Sequence, residues 1–177
     1  MNDKELIRIS KRLARHLRHD PGALGLTLAP GGWVPVDQLV RALSITRAQL
    51  DEVVEKNNKR RFAYDETGTR IRASQGHSVP VDLGLPDATP PAVLYHGTVA
   101  ASLDAIFHEG LRPMNRHAVH LSATAETART VGARRGKPVI LRVDAAAMAT
   151  DGHTFQVSAN GVWLTASVPP PYLSPTP

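Results

Sequence analysis

The chain has 177 residues and no cysteine. That removes a disulfide framework, a thiolate nucleophile and cysteine-held zinc or iron–sulfur chemistry, and it is compatible with a reducing compartment. No apolar run approaches about 18 residues, so no membrane-spanning helix is expected. The start, Met1-Asn2-Asp3-Lys4-Glu5, has no apolar signal region. The expectation is a soluble, cytoplasmic protein. Neither a G-x-G-x-x-G fingerprint nor a P-loop is present, so any dinucleotide would be held by a different architecture. There is also no H-E-x-x-H helix to bring zinc ligands together, and no metal is expected. No internal repeat is visible.

What the chain does have is positive charge, and it is unevenly spread. Residues 1–80 carry 14 Lys+Arg against 9 Asp+Glu, whereas residues 81–177 carry 7 against 7. The net charge of +5 therefore lies in the first half, which points to an anionic partner there.

Hydrophobic spacing organises that half. Leu6, Ile9, Leu13 and Leu17 recur at three- and four-residue steps and predict a helix over 4–19. Arg8, Arg12, Arg15 and His19 form a second stripe on it, and Pro21-Gly22 ends it. Pro30-Gly31-Gly32 marks a turn before Trp33-Val34-Pro35-Val36. Asp37 is placed to cap a helix with Leu39, Val40 and Leu43. Thr46 and Gln49 form a capping box for the next, with Leu50, Val53 and Val54 on its buried side. Residues 61–64 and 69–72 are strand-like. The order helix, strand, helix, helix, strand, strand is that of a winged helix.

Residues 82–92 are rich in proline and lack periodicity, so the domain boundary is expected there, between lobes 1–82 and 92–177. The second lobe begins with the apolar strand Val93-Leu94-Tyr95, followed by His96-Gly97-Thr98. A helix is expected over 101–108 with Leu103, Ile106 and Phe107 inward. A strand at 119–122, a helix at 124–131 capped by Ser122 or Thr124, and a buried strand at 139–143 follow. Ala159-Asn160-Gly161 is a hairpin turn between 155–157 and 162–165. The segment from Val168 to Pro177 reads as an ordered edge with a loose end. The fold class expected is α+β.

Several residues could carry chemistry. Arg18 offers a planar fork matched to phosphate oxygens, and the adjacent His19 can donate or shuttle a proton near neutral pH. Basic residues also belong at a helix C-terminus for dipole reasons alone. Lys59-Arg60-Arg61-Phe62 could grip phosphate and stack a base, or simply end a solvated helix. The loop Ser74-Gln75-Gly76-His77-Ser78 could supply amide donors. At 96–98, glycine permits close backbone approach, while His96 and Thr98 can hydrogen-bond ribose or carboxamide. Trp163 reads as core.

Nine stretches together resemble the RNA 2′-phosphotransferases, also called tRNA 2′-phosphotransferases. They are SKRLARHLRHDP at 10–21, GW at 32–33, NKRRF at 58–62, IRASQGHS at 71–78, LYHGT at 94–98, GL at 110–111, NRHAVHLS at 115–122, VGARRGKPVIL at 131–141 and NGVWLT at 160–165. The resemblance implies a winged-helix-like RNA-binding lobe followed by a β-rich lobe of the ADP-ribosyltransferase fold. It implies NAD⁺ as co-substrate and, as partner, a tRNA-like RNA carrying an internal 2′-phosphate, as in tRNA splicing. The products would be 2′-hydroxyl RNA, ADP-ribose 1″,2″-cyclic phosphate and nicotinamide. The family's catalytic group falls on Arg18, His19, Arg61 and Arg116. Its NAD⁺ pocket falls on His96 and His120, with Gly97, Thr98 and Ser122 beside them. Val162 falls where many relatives in the wider fold place a catalytic glutamate. A phosphate nucleophile needs no such base, because a phosphomonoester already carries about −1.5 to −2 charges at neutral pH. A monomer is expected. Two other readings stay open: a transferase that caps a terminal phosphate with ADP-ribose, and a non-enzymatic winged-helix nucleic-acid binder.

Overall fold

The first helix is set by its apolar stripe and closed at both ends. In a computed structural model that describes residues 1–176, α1 spans Asp3–Arg18. The Asn2 side chain accepts from the Glu5 backbone N–H at 2.9 Å and caps it. Ile9, Leu13, His16 and Leu17 are its buried residues. The helix ends where the His19 and Asp20 amides both fold back on the Arg15 carbonyl, and Pro21 opens a single 3-10 turn to Leu24.

The chain divides into two units, Met1–Gly84 and Leu85–Pro177. In the first, α1 is followed by β1 (Val34–Pro35), α2 (Val36–Leu43), α3 (Arg47–Glu55), β2 (Phe62–Tyr64) and β3 (Arg70–Ala73). The three short strands form one antiparallel sheet in the order β1-β3-β2. The order of helices and strands is the one expected from the sequence. The capping box is present as read: Thr46 Oγ1 accepts from Gln49 N–H at 3.1 Å, and Gln49 Oε1 accepts from Thr46 N–H at 2.9 Å. Asp37 is not a cap. It lies in the first turn of α2, which starts one residue earlier at Val36 from an extended Pro35. Leu13, Leu17, Val34, Leu39, Leu50 and Ile71 lie in one core, and α1, the sheet and α3 wrap around it.

The second unit contains β4 (Val93–Val99), α4 (Leu103–Glu109), β5 (Val119–Leu121), α5 (Ala125–Gly132), β6 (Pro138–Asp144), α6 (Ala145–Thr150), β7 (Gln156–Val157), β8 (Trp163–Thr165) and β9 (Leu173–Pro175). They make two antiparallel sheets, β4-β6-β9 and β5-β8-β7. Reciprocal hydrogen bonds between Tyr95 and Ser122, at 2.9 and 2.8 Å, tie the first sheet to the chain just after β5. Thr124 caps α5 by accepting from the Thr127 amide. The mixture of helices with small antiparallel sheets is compatible with an α+β fold. No helix among the described residues is long and apolar enough to cross a membrane.

The division between the units falls inside the Pro-rich stretch 82–92. Arg72 donates to the Leu83 carbonyl at 3.3 Å, while Ala88 N–H bonds to the Phe155 carbonyl and Asp87 accepts from Gln156 Nε2. Two segments depart from expectation. Phe107, expected inward, is 38% exposed, because α4 spans only seven residues and buries none of them. The tail is not loose through residue 176. It pairs with β6, and Thr176 bonds the Ile140 carbonyl through both its amide and its hydroxyl.

Candidate active site

In the first unit, the end of α1 is held by the loop that follows β3. Ser78 N–H donates to the Arg18 carbonyl at 2.9 Å, with Val79 N–H at 3.4 Å on the same oxygen. These amides of the glycine-containing loop therefore close the helix end, satisfying a carbonyl that has no partner inside the helix. The His19 Nδ1 is 2.8 Å from Ser78 Oγ. Gly76 has φ +90°, and a Cβ built there would lie 3.4 Å from Arg18 Cζ. The guanidinium thus lies along bare backbone, and only glycine adopts that conformation without strain.

Arg61 arrives at the same loop from the start of β2, the strand paired with β3. Asn57 Oδ1 accepts from Lys59 and Arg61 amides, and Arg60 adopts a left-handed φ of 44°. The turn delivers Arg61 beside Ser74, whose amide donates to the Arg61 carbonyl and whose hydroxyl donates to the Arg60 carbonyl. Phe62 then buries and pairs with Ala73. Arg18, His19 and Arg61 are thus brought to one loop, 74–78. The alternative pair Arg15–His16 has a different setting. Arg15 is an exposed partner of Asp20 at 3.4 Å, and His16 is buried with Nδ1 donating to the Asp20 carbonyl.

The loop is unusually buried for a polar run: Ser74, Gln75 and His77 are all at 9% exposure or less. Gln75 Oε1 has no partner among the described residues. A buried carbonyl oxygen of this kind normally has a hydrogen-bond donor, so it is an acceptor available to a water or a substrate hydroxyl.

In the second unit, β4 carries His96 and Gly97 and β5 carries His120. His96 Nδ1–H donates to the His120 carbonyl at 3.3 Å. Burial holds the His96 pKa below its ordinary value, and Arg135 pushes it further down against that hydrogen bond. His96 is therefore neutral at pH 7, with Nε2 as the acceptor nitrogen. His120 Nδ1 lies 2.7 Å from Arg116 Nη1. An arginine can only donate, so His120 accepts at Nδ1 and carries its proton on Nε2. Ser122 is fixed through its backbone by Tyr95.

Arg116 is partly desolvated, which lowers its pKa, and Arg134 and Arg135 lower it further. Three guanidinium groups near a neutral histidine form a concentrated positive field, suited to a phosphate or pyrophosphate. Arg134 and Arg135 had no assigned role in the sequence reading. The signal was there: two adjacent arginines before Gly136, in a half of the chain that carries only 7 Lys+Arg.

The remaining residues are placed differently from one another. Gly97 approaches α5: its Cβ would stand 1.8 Å from the Ala128 carbonyl oxygen. Thr98 is 2% exposed in the same strand. Val162 is half-buried in the turn before β8, its amide donating to Ser158 Oγ at 3.2 Å. Trp163 packs against the second core, as expected.

Each unit sets cationic side chains on a hydrogen-bonded frame, a chemistry suited to anions. Comparison with known proteins gives that chemistry a family. Residues 4–167 match the model of the RNA 2′-phosphotransferase, Tpt1 / KptA family. A Streptomyces coelicolor protein named "Probable RNA 2′-phosphotransferase" is 61% identical over 178 residues, covering 98% of this chain and 97% of that protein. Proteins of the same name from Streptomyces griseus and Nostoc punctiforme are 55% and 54% identical, each covering 98% of both chains. The chain belongs to the RNA 2′-phosphotransferase family and is a transferase.

Proposed function

We propose that the chain is an NAD⁺-dependent RNA 2′-phosphotransferase. It converts an internal 2′-phosphate on a tRNA-like RNA to a 2′-hydroxyl, releasing nicotinamide and ADP-ribose 1″,2″-cyclic phosphate. The observation that carries this reading is the Arg18–His19–Arg61 group on loop 74–78, in a chain of this family. In this reading the first unit is a winged-helix-like RNA-binding lobe and the second an ADP-ribosyltransferase-like lobe. The protein acts as a cytoplasmic monomer.

The second unit's residues fit NAD⁺. The acceptor Nε2 of neutral His96 suits a ribose hydroxyl, the Nε2–H of His120 suits an oxygen acceptor, and the Arg116, Arg134 and Arg135 field suits phosphate charge. Gly97, Thr98, Ser122 and Val162 shape the strands around that position. When bound, NAD⁺ supplies a ribose carbon that a phosphate oxygen can attack, with nicotinamide as leaving group.

The protein's own residues then have defined tasks. Arg18 and Arg61 hold and neutralise the RNA phosphate, which is already anionic and needs orientation rather than deprotonation. A preorganised donor of this kind typically contributes about 100- to 1000-fold in rate. Ser78 holds His19 at Nδ1, so proton exchange is assigned to Nε2 when the ribose hydroxyl displaces the RNA. The test is incubation of 2′-phosphorylated RNA with NAD⁺. Loss of the RNA phosphate with matching nicotinamide release is expected. Nicotinamide release with ADP-ribose left on the RNA would replace this reading with a capping transferase. No nicotinamide release would leave only a binder.

A further inference from the structure

The exposed face of α1 bears a line of cations that, apart from Arg18 at its end, none of the roles above uses. At 100° per residue, Lys4, Arg8, Lys11, Arg15 and Arg18 fall within a sector of about 80°. Asp3 and Glu5, the acidic residues of the helix, fall outside it. Ile9, Leu13 and Leu17 occupy the opposite, buried side. Lys4, Arg8, Lys11 and Arg15 are all exposed. Arg8 and Arg15 are exposed and each has a single, half-exposed carboxylate neighbour, Glu5 at 3.8 Å and Asp20 at 3.4 Å. Such pairs are weak and exchangeable. Lys4 and Lys11 make no ion pair among the described residues.

Helix stability does not account for this line. A face that serves only solvation usually alternates signs, so that i,i+4 neighbours attract. Here Lys4 faces Arg8 and Lys11 faces Arg15, both like-charged pairs. Lys4 also stands in the first turn, where the helix dipole disfavours a cation. The line ends at Arg18, whose carbonyl is bound by loop 74–78. Lys4 to Arg18 spans about 21 Å at 1.5 Å per residue. That is the length of about six phosphates of a stacked strand at about 3.4 Å each.

We propose that this face of α1 is a track for the RNA backbone, seating the phosphates that flank the 2′-phosphorylated nucleotide and leading the strand to Arg18 and His19. It rests on the assignment of RNA as substrate, and it adds the prediction that longer RNA is preferred for electrostatic reasons. The RNA is read here through its charge, without base contacts, so the track is indifferent to sequence.

The test compares the wild-type chain with the triple variant Lys4→Gln, Arg8→Gln, Lys11→Gln and with each single variant. Two substrates are used: a single-stranded RNA oligonucleotide with one internal 2′-phosphate, and a 2′-phosphorylated dinucleotide that cannot reach along the helix. Affinity for the oligonucleotide is measured by fluorescence anisotropy across about 50 to 200 mM salt. Losing three phosphate contacts makes the log–log salt slope shallower by about 2, and each single variant by about 0.7. Affinity at the low-salt end falls on the order of 100-fold for the triple variant. The ratio of kcat/KM for oligonucleotide over dinucleotide falls with it. An unchanged slope, or a ratio that stays at the wild-type value, overturns the proposal. The charge-retaining variant Lys4→Arg, Arg8→Lys, Lys11→Arg keeps the wild-type slope; if it loses as much as the glutamine variant, charge is not the operative property and the proposal falls. Failure of the functional reading looks different. A wild-type chain that binds RNA with a steep slope yet releases no nicotinamide would sink the enzyme assignment and leave the track standing.

Discussion

Replacing Gly97 by alanine isolates the contact that holds the second unit's site together. The added Cβ would lie 1.8 Å from the Ala128 carbonyl oxygen, 2.7 Å from its carbonyl carbon and 2.8 Å from the Gly132 nitrogen. All three are backbone atoms of α5 or its end, so no side-chain rotation relieves the clash. A tolerable C···O contact is about 3.3 Å, which requires α5 to recede by about 1.5 Å. Ala128 is fully buried, so the movement also loosens the packing beneath the helix. Overpacking a core usually costs about 1–3 kcal/mol. Three backbone collisions place Gly97→Ala at or above the top of that range, about 3 kcal/mol. That is a large share of a typical stability of about 5–15 kcal/mol. Gly132→Ala is the control from the same interface. Its Cβ meets Gly97 and Thr98 backbone only at 3.1 Å, and alanine is favoured over glycine in a helix by about 1 kcal/mol. Its stability should stay within about 1 kcal/mol of wild type. The assay is urea unfolding followed by tryptophan fluorescence. The chain has two tryptophans, Trp33 in the first unit and Trp163 in the second. A Trp33→Phe background therefore reports the second unit alone. If Gly97→Ala unfolds within about 1 kcal/mol of that background, helix packing is not the reason for glycine at this position.

Other perturbations test other links. Arg18→Ala should lower kcat on 2′-phosphorylated RNA by about 100- to 1000-fold, while Arg15→Ala costs less than tenfold; the reverse order would move the phosphate clamp to the Arg15–His16 pair. His96 has a depressed pKa from burial, so below the ordinary histidine range the unfolded chain binds a proton that the folded chain refuses. Stability of the second unit should fall as pH drops from about 7 to 5, and His96→Asn should flatten that dependence in urea melts; an equal slope in both proteins would contradict the burial argument. Thr46→Ala removes one half of the capping box and should destabilise the first unit by about 1 kcal/mol, seen in Trp33 fluorescence against a Trp163→Phe background, whereas an unchanged midpoint would make the box decorative.

Local signals in the sequence reached the structure where short-range physics decides the outcome. The α1 stripe, the Thr46–Gln49 box, the Ala159-Asn160-Gly161 turn and the order of elements in the first half are all set by spacing and capping within a few residues. Asp37 misled because the extended Pro35 begins α2 a residue earlier than a side-chain cap would. Phe107 misled because a seven-residue helix that buries none of its residues has too little partner surface to cover every apolar side chain. The tail from Val168 has no periodicity, yet a free edge of β6 orders it, and such pairing across more than thirty residues leaves no local mark. At the sites, residue type showed which side chains could carry charge, but not what fixes them. Ser78 on His19, Ser74 on the Arg61 carbonyl, and Gly76 along Arg18 are partnerships of distant segments. Arg134 and Arg135 were visible as charge; their effect on Arg116, and that of Arg135 on His96, came from the fold.

The most direct measurement is a time course of wild-type chain, NAD⁺ and an oligonucleotide bearing one internal 2′-phosphate, with RNA and nicotinamide followed together. One nicotinamide released for each 2′-hydroxyl RNA formed, and neither product without NAD⁺, is the predicted result. Phosphate loss that proceeds equally well without NAD⁺ would contradict the account at its centre.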